Sequence, residues 1–500
     1  MVSVVVTLML PALADPPATP AKAGVPYPPA AVAKAFVHEY PRIEPKVARS
    51  IAAGLAYLKK AEDYRVGARA LAGLTLLHCG VPAGDAAVIK NARIVRAGAP
   101  RLTATYELSL CLLFLDRLGN PKDRDLIRHI ALQLIAGQGI QGGWNYQCFP
   151  LNQPQEKMLL ALLKPYVSPS NGQPFVPRLA PEWTKAGRGI PADLRFLPAV
   201  QYRPGQQLVL QANPWHEDNS LTQFAILALW AAQKHDIPVE RPLALVEARF
   251  RASQFADGSW TYKMDPTTAG YRVDSMTCAG LLGLAVGHGI HSPDLEKFNP
   301  AGMKKGEKAP VRKAGADPAI EKALLFLSQK IGAPKLRELA ADTIKANAML
   351  MALQLRLPKA GLPERRLILK QMDALMKDRR VGRGTILGFE AWGDLYYLWS
   401  LERVAVTYNL RTIGGKDWYA WGAPVIMANQ LPDGSWSDRF PGVPDTCFAL
   451  LFLNRANVVQ DLTRNLNTVI LSPQTAGRLS DPTYGMSPGQ REALSKSKDR

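Results

Sequence analysis

A chain of 500 residues with 47% hydrophobic and 21% charged side chains can bury a large core, which excludes a disordered or fibrous protein and favours two domains or a repeat architecture. Its formal charge of +19, from 61 Lys+Arg against 42 Asp+Glu, attracts anions in general. The basic residues are dispersed, with no stripe interleaved with aromatics and no zinc-finger or RNP-like pattern, which argues against nucleic-acid binding.

Residues 1–14 form an apolar run ending in Ala12-Leu13-Ala14, the small-x-small pattern of a signal-peptidase site. The run is too short for a transmembrane helix, which needs about 20 apolar residues. A secreted or periplasmic protein is therefore expected, although no Lys or Arg precedes the run. Residues 15–44 are a Pro-rich spacer. Helical periodicity then runs from 45 to 460, beginning with Val47–Lys60 paired with Val66–His78 and Ala86–Val95 paired with Thr103–Leu118.

The next helix, Ile127–Ala136, leads into Gln138-Gly-Ile-Gln-Gly-Gly-Trp144. A long Pro-rich loop, 149–213, separates this turn from an apolar helix opening at Asp218. The pattern returns as Ala244–Ser253, then Gln254-Phe-Ala-Asp-Gly-Ser-Trp260, then an apolar helix opening at Asp274. A Lys/Gly/Pro-rich crossing, 296–317, is followed by Ala319–Lys330 with Leu336–Leu355 and Glu364–Met376 with Phe389–Leu410. The third copy reads Trp421–Asn429, Gln430-Leu-Pro-Asp-Gly-Ser-Trp436 and an apolar helix opening at Asp445. Residues 472–500 are polar and read as a disordered tail.

Each repeat is thus an amphipathic helix, a Gly/Trp turn, and a helix apolar on nearly all sides. Units of this kind bury their surfaces when the apolar helices pack inside a layer of amphipathic ones. About six or seven such pairs are expected, and no alternating strand pattern competes. The predicted class is all-α.

The Gln-to-Trp turns at Gln138/Trp144, Gln254/Trp260 and Gln430/Trp436 resemble the QW motifs of squalene and oxidosqualene cyclases and the related repeats of protein prenyltransferase β subunits. The resemblance implies an α/α toroid of two concentric helical rings. In it the Gln caps a helix end and the Trp stacks between neighbouring units. It covers roughly residues 45–460, specifically at the three turns. Activity does not follow, because a fold hosts many functions. Cyclases of this family protonate substrate through Asp-x-Asp-Asp, and this chain has no Asp-Asp pair anywhere. Prenyltransferase β subunits hold zinc through Asp-x-Cys and a later His. Asp445-Thr-Cys447 matches the first part, but no His follows Cys447, so no metal is expected. Nor is any other cofactor.

What remains is a set of carboxylates at the starts of apolar helices: Glu107, Asp218, Asp274 and Glu390, with Asp394 and Asp445 beside them. Ringed round one mouth, a pair of these would serve as acid and base on a glycosidic bond. The alternative is that they cap helices. Tyr106, Tyr262, Tyr271, Trp392, Tyr396 and Trp399 are candidates for a stacking surface there. Glu402 and Arg403, inside an apolar helix, read as a buried ion pair or a site wall. Two functions are open: a non-cyclising protein that binds an extended apolar ligand or a partner protein, or a polysaccharide lyase or hydrolase acting on anionic glycans.

Overall fold

The computed structural model describes residues 43–163, 192–202, 208, 217–263, 274–290, 317–332, 360–377 and 394–458, with single positions between 349 and 357 and between 462 and 466. The proposed signal peptide, most of the 15–44 spacer, the tail, Leu336–Leu355 almost entirely, and Tyr271, Glu390 and Trp392 lie outside the described residues. Among the described residues the chain is helical, with isolated β-bridges and no strand.

Fourteen helices carry the description: α1 (Pro45–Lys60), α2 (Val66–His78), α3 (Ala86–Gly98), α4 (Thr105–Leu118), α5 (Arg124–Ala136), α6 (Gln153–Leu163), α7 (Asn219–Ala232), α8 (Glu240–Ser253), α9 (Asp274–Ile290), α10 (Pro318–Ser328), α11 (Leu362–Lys377), α12 (Asp394–Thr407), α13 (Trp418–Ala428) and α14 (Val443–Asn454). Local chemistry sets several starts. Asp85, Asp218, Asp317 and Asp417 stand before α3, α7, α10 and α13, and each carboxylate accepts first-turn backbone N–H bonds. Gly119, in the left-handed conformation at φ 69°, ends α4.

Two kinds of helix alternate. In α7 every residue is buried, and in α9 nearly every one, as their Ala/Leu/Gly/Thr composition requires. In α1 the buried residues are Val47, Ser50, Ile51, Gly54 and Leu58, one stripe at helical spacing. The buried helices contact one another in succession: α2 on α4, α4 on α7, α7 on α9, α9 on α12, α12 on α14, and α14 back on α2. The amphipathic helices α1, α3, α5, α8, α10 and α13 pack against members of this cycle. Helix α1 packs chiefly on α14, near the other end of the described chain.

Three expectations need correcting. The 149–213 loop opens with a helix, α6, which packs on α5, and carries two four-residue helical turns at Ala192–Arg195 and Pro198–Gln201. Its apolar residues Leu159, Leu162 and Leu163 are buried, a spacing masked in the sequence by neighbouring prolines. Second, α11 leaves Leu362, Leu367 and Leu369 exposed, whereas an amphipathic helix of the expected pair would turn its apolar residues inward. Third, Glu402 and Arg403 form no direct ion pair. Neither Glu402 carboxylate oxygen has a hydrogen-bond partner, because adjacent helical residues diverge by about 100°.

The outer ends of α8, α9 and α10 are tied by one network. Asp317 accepts from Arg251 Nη2 at 2.9 Å and bonds His288 Nε2 at 2.7 Å, while Arg251 also pairs with Glu247. Burial alone would raise the Asp317 pKa; the His288 and Arg251 bonds reverse this and hold it well below the usual carboxylate range. A depressed folded-state pKa contributes stability above the unfolded carboxylate pKa and loses it as pH falls through the folded value. Urea midpoints should therefore drop as pH is lowered from 5 towards 2, and Asp317→Asn should flatten that drop. An unchanged acid slope in the variant would mean that Asp317 is not among the responsible groups.

Candidate functional site

The three Gln-to-Trp turns are built alike to within tenths of an ångström. Nε1 of Trp144, Trp260 and Trp436 donates to the carbonyl ten residues back, at Leu134, Phe250 and Ile426, at 2.7, 2.9 and 2.7 Å. Each of these carbonyls lies in the last turn of an amphipathic helix, beyond the reach of a regular helical donor, and those of Leu134 and Ile426 also accept from the capping N–H groups of Gly137 and Asn429. The Gln Nε2 atoms bond within their own turns, to the carbonyls of Gly142, Gly258 and Gly434. They also reach a second amphipathic helix, at the carbonyls of Pro242, Ala319 and Ser50, at 2.9, 2.8 and 2.9 Å. Gly142, Gly258 and Gly434 have φ of 84°, 89° and 88°. A Cβ there would stand 2.7, 2.4 and 2.4 Å from the backbone of Leu245, Lys322 and Ala53. The third joint is the closing one, since Gln430 and Gly434 grip α1 across 380 residues of sequence.

A further residue marks the register of each joint, and sequence reading missed it. The backbone N–H of each Trp donates to a threonine on the following buried helix: Thr222, Thr277 and Thr446, at 3.2, 3.3 and 3.2 Å. These threonines show that Asp218, Asp274 and Asp445 are not equivalent. They precede the threonine by four, three and one positions, and so leave the helix in different directions. The first joint departs in another way. Asp257 and Asp433 brace their own turns by accepting from Ser259 and Ser435, but the matching position holds Gln141. Glu217 takes over, accepting from the N–H of Gln141 at 3.1 Å and of Gly143 at 2.8 Å. It also pairs at 2.6 Å with Arg249, which is 0% exposed.

The carboxylates expected at a mouth are placed as follows. Glu107 Oε1 accepts from Gly67 N at 3.0 Å, in the first turn of the neighbouring α2. Asp218 Oδ1 accepts from Ser220 N and Ser220 Oγ at 2.7 and 2.6 Å. Asp274 opens α9 and lies 3.7 Å from Lys330 Nζ. Burial raises the pKa of Asp218 and of Asp274 against these partners. Asp445 Oδ2 accepts from the N–H of Asp438 and Phe440 at 2.6 and 2.9 Å and so shapes the loop that carries Phe440. Its pKa is pushed well up, first by burial and then by Asp438. Cys447 sits two positions on, about 200° round the helix, and is fully buried. Asp445 and Cys447 therefore do not converge, and among the described residues no group of three His, Cys, Asp or Glu side chains is placed to hold a metal.

What the cycle does bring together is aromatic. Tyr146, 58% exposed, and Phe440, 40% exposed, form the outermost layer. Tyr146 is 6.5 Å from Tyr106, and Phe440 is 6.3 Å from Tyr396, between ring centroids. Beneath them Tyr106 meets Phe224 at 5.1 Å, Phe224 meets Trp399 at 5.6 Å, and Trp399 stacks on Phe448 at 4.8 Å. These rings come from α4, α7, α12 and α14, and burial deepens from the partly buried Tyr106 through Phe224 at 4% to Trp399 at 2%, with Phe448 at 6%. At the base Arg403 Cζ lies 3.8 Å from the Trp399 ring centroid, a cation–π contact.

Several polar groups among these rings bond one another, while Trp399 Nε1 is buried without an acceptor. Tyr106 and Ser220 share a 2.6 Å hydrogen bond between hydroxyls. Gln223 Nε2 donates to the Tyr396 hydroxyl, and Arg403 Nη2 donates to Gln223 Oε1 at 2.9 Å. Burial, with Tyr396 and Asp218 nearby, raises the Tyr106 phenol well above its ordinary pKa. Such a surface suits an apolar guest and supplies a few hydrogen bonds that fix its orientation. No protein-family model matches this sequence, and no curated protein is detectably similar to it.

Proposed function

We propose that the chain is an exported, non-cyclising α/α toroid, similar in plan to the squalene-cyclase and prenyltransferase repeat proteins, whose mouth binds an extended apolar ligand. The observation that carries this reading is the graded aromatic funnel from Tyr146 and Phe440 down to Trp399 and Phe448. The toroidal plan is supported by the contact sequence that returns from α14 to α2 and by the closing joint of Gln430 on Ser50. A partner protein inserting an apolar side chain would use the same funnel. Cleavage of an anionic glycan, the second reading, draws less support, because Glu107 and Asp218 serve helix first turns.

Squalene or a long polyprenol, titrated into the purified protein, should quench tryptophan fluorescence saturably. Tyr146→Ala and Phe440→Ala each remove a largely exposed ring and should weaken binding about tenfold, the value of roughly 1.4 kcal/mol of lost apolar contact. Native mass spectrometry showing no co-purified lipid, with a titration insensitive to both substitutions, would exclude the funnel as the binding site.

A further inference from the structure

Two hydrogen-bond chains of opposite polarity meet at the neck of the aromatic funnel, both running through α7. The first ends on an acceptor. Asp218 Oδ1 takes the backbone N–H of Ser220 at 2.7 Å and the Ser220 hydroxyl at 2.6 Å. The hydroxyl proton of Ser220 is thereby committed, so Tyr106 is the donor in the 2.6 Å bond between its hydroxyl and Ser220 Oγ. A phenol has a single O–H to give and lone pairs with which to accept. With its proton directed at Ser220, Tyr106 meets any further polar group as an acceptor.

The second chain starts from a cation. Arg403 Nη2 has only protons to give, and it donates to Gln223 Oε1 at 2.9 Å. That fixes the Gln223 amide with Nε2 donating to the Tyr396 hydroxyl. Ser220 and Gln223 are three residues apart and share one face of α7, so the phenol oxygens of Tyr106 and Tyr396 are held one helical turn apart. The Tyr106 ring lies between Tyr146, 58% exposed, and Phe224, whose ring centroid is 5.1 Å away. The neck thus presents an oriented acceptor among apolar rings, on the path from the exposed layer to the base.

We propose that Tyr106 reads the head group of the funnel's guest by accepting a hydrogen bond from its hydroxyl, so that the ligand class is a long-chain alcohol. A hydrocarbon leaves the Tyr106 oxygen unmet, which a site built to bond an O–H group penalises. An ether has no proton to give. A phosphate ester, ionised and rich in acceptors, sets its lone pairs against those of Tyr106. The inference rests on the reading of the funnel as a site for an extended apolar guest, and names which terminus that guest carries.

Farnesol, its methyl ether, farnesene and farnesyl monophosphate share one chain and differ at the terminus. Titrated into the full chain with tryptophan fluorescence as readout, farnesol should bind about five- to tenfold more tightly than each of the others, the worth of one hydrogen bond. In Tyr106→Phe, which keeps the ring and removes the oxygen, that preference should vanish. Should the variant fail to fold, the comparison of alcohol with ether on the unaltered protein decides the matter, because the two differ at the donated proton. Equal affinity for farnesol and its methyl ether, or a preference for farnesol that survives Tyr106→Phe, would overturn the assignment of Tyr106 while leaving the funnel as an apolar site. Failure of all four compounds to bind would overturn the funnel reading, and this assignment with it.

Discussion

Trp436→Ala is expected to lower the unfolding free energy by about 3–5 kcal/mol, the usual cost of emptying a core site of this size. The side chain is 0% exposed, its indole N–H holds the last turn of α13 at Ile426, and its ring lies against Gly54 of α1. The loss should have a location as well as a size. Helix α1 depends on this joint, so its amides should exchange with solvent faster than those of α7 in the variant. Urea titration gives the first quantity and hydrogen exchange the second. A cost below about 1 kcal/mol, within the range of surface substitutions, would mean that the joint does not hold α1.

Glu217→Ala should be nearly as damaging, at about 3–5 kcal/mol, because it strands the buried Arg249 charge and leaves the N–H groups of Gln141 and Gly143 without their acceptor. Asp257→Ala removes the corresponding brace of the second turn, where no buried cation depends on it, and should cost about 1 kcal/mol, as loss of a cap does. The double change Glu217→Ala with Arg249→Met should be less harmful than the sum of the two single changes, since it removes the stranded charge. Equal costs for Glu217→Ala and Asp257→Ala would contradict the role given to Arg249.

The parts of this fold that were legible in the sequence are those whose chemistry is local. A Gln, a positive-φ Gly and a Trp at fixed spacing act within one turn, so three copies could be aligned by eye. The threonine partners could not, because they follow their tryptophans by 78, 17 and 10 positions, and the connecting loops hide the common register. Without that mark Asp218, Asp274 and Asp445 looked equivalent by residue type, whereas their offsets turn them in different directions. Glu217 was hidden for a similar reason. It substitutes for a turn aspartate from 76 residues away, and nothing near Gln141 announces it. Neighbouring Glu402 and Arg403 invited pairing by proximity, which the geometry of a helix denies them. The aromatic funnel was visible only as a list of rings; the order of their burial needs the packing of α4, α7, α12 and α14.

The aromatic funnel requires the buried helices to close on themselves, with the third turn seated on α1. Electron–electron distance measurement between spin labels at exposed positions Ala52 and Pro432 tests this most directly. A closed cycle predicts a single, narrow, short distance. An open array of the same helix pairs, with neighbouring axes about 9 Å apart, would separate the labels by roughly 45 Å, and that result would contradict it.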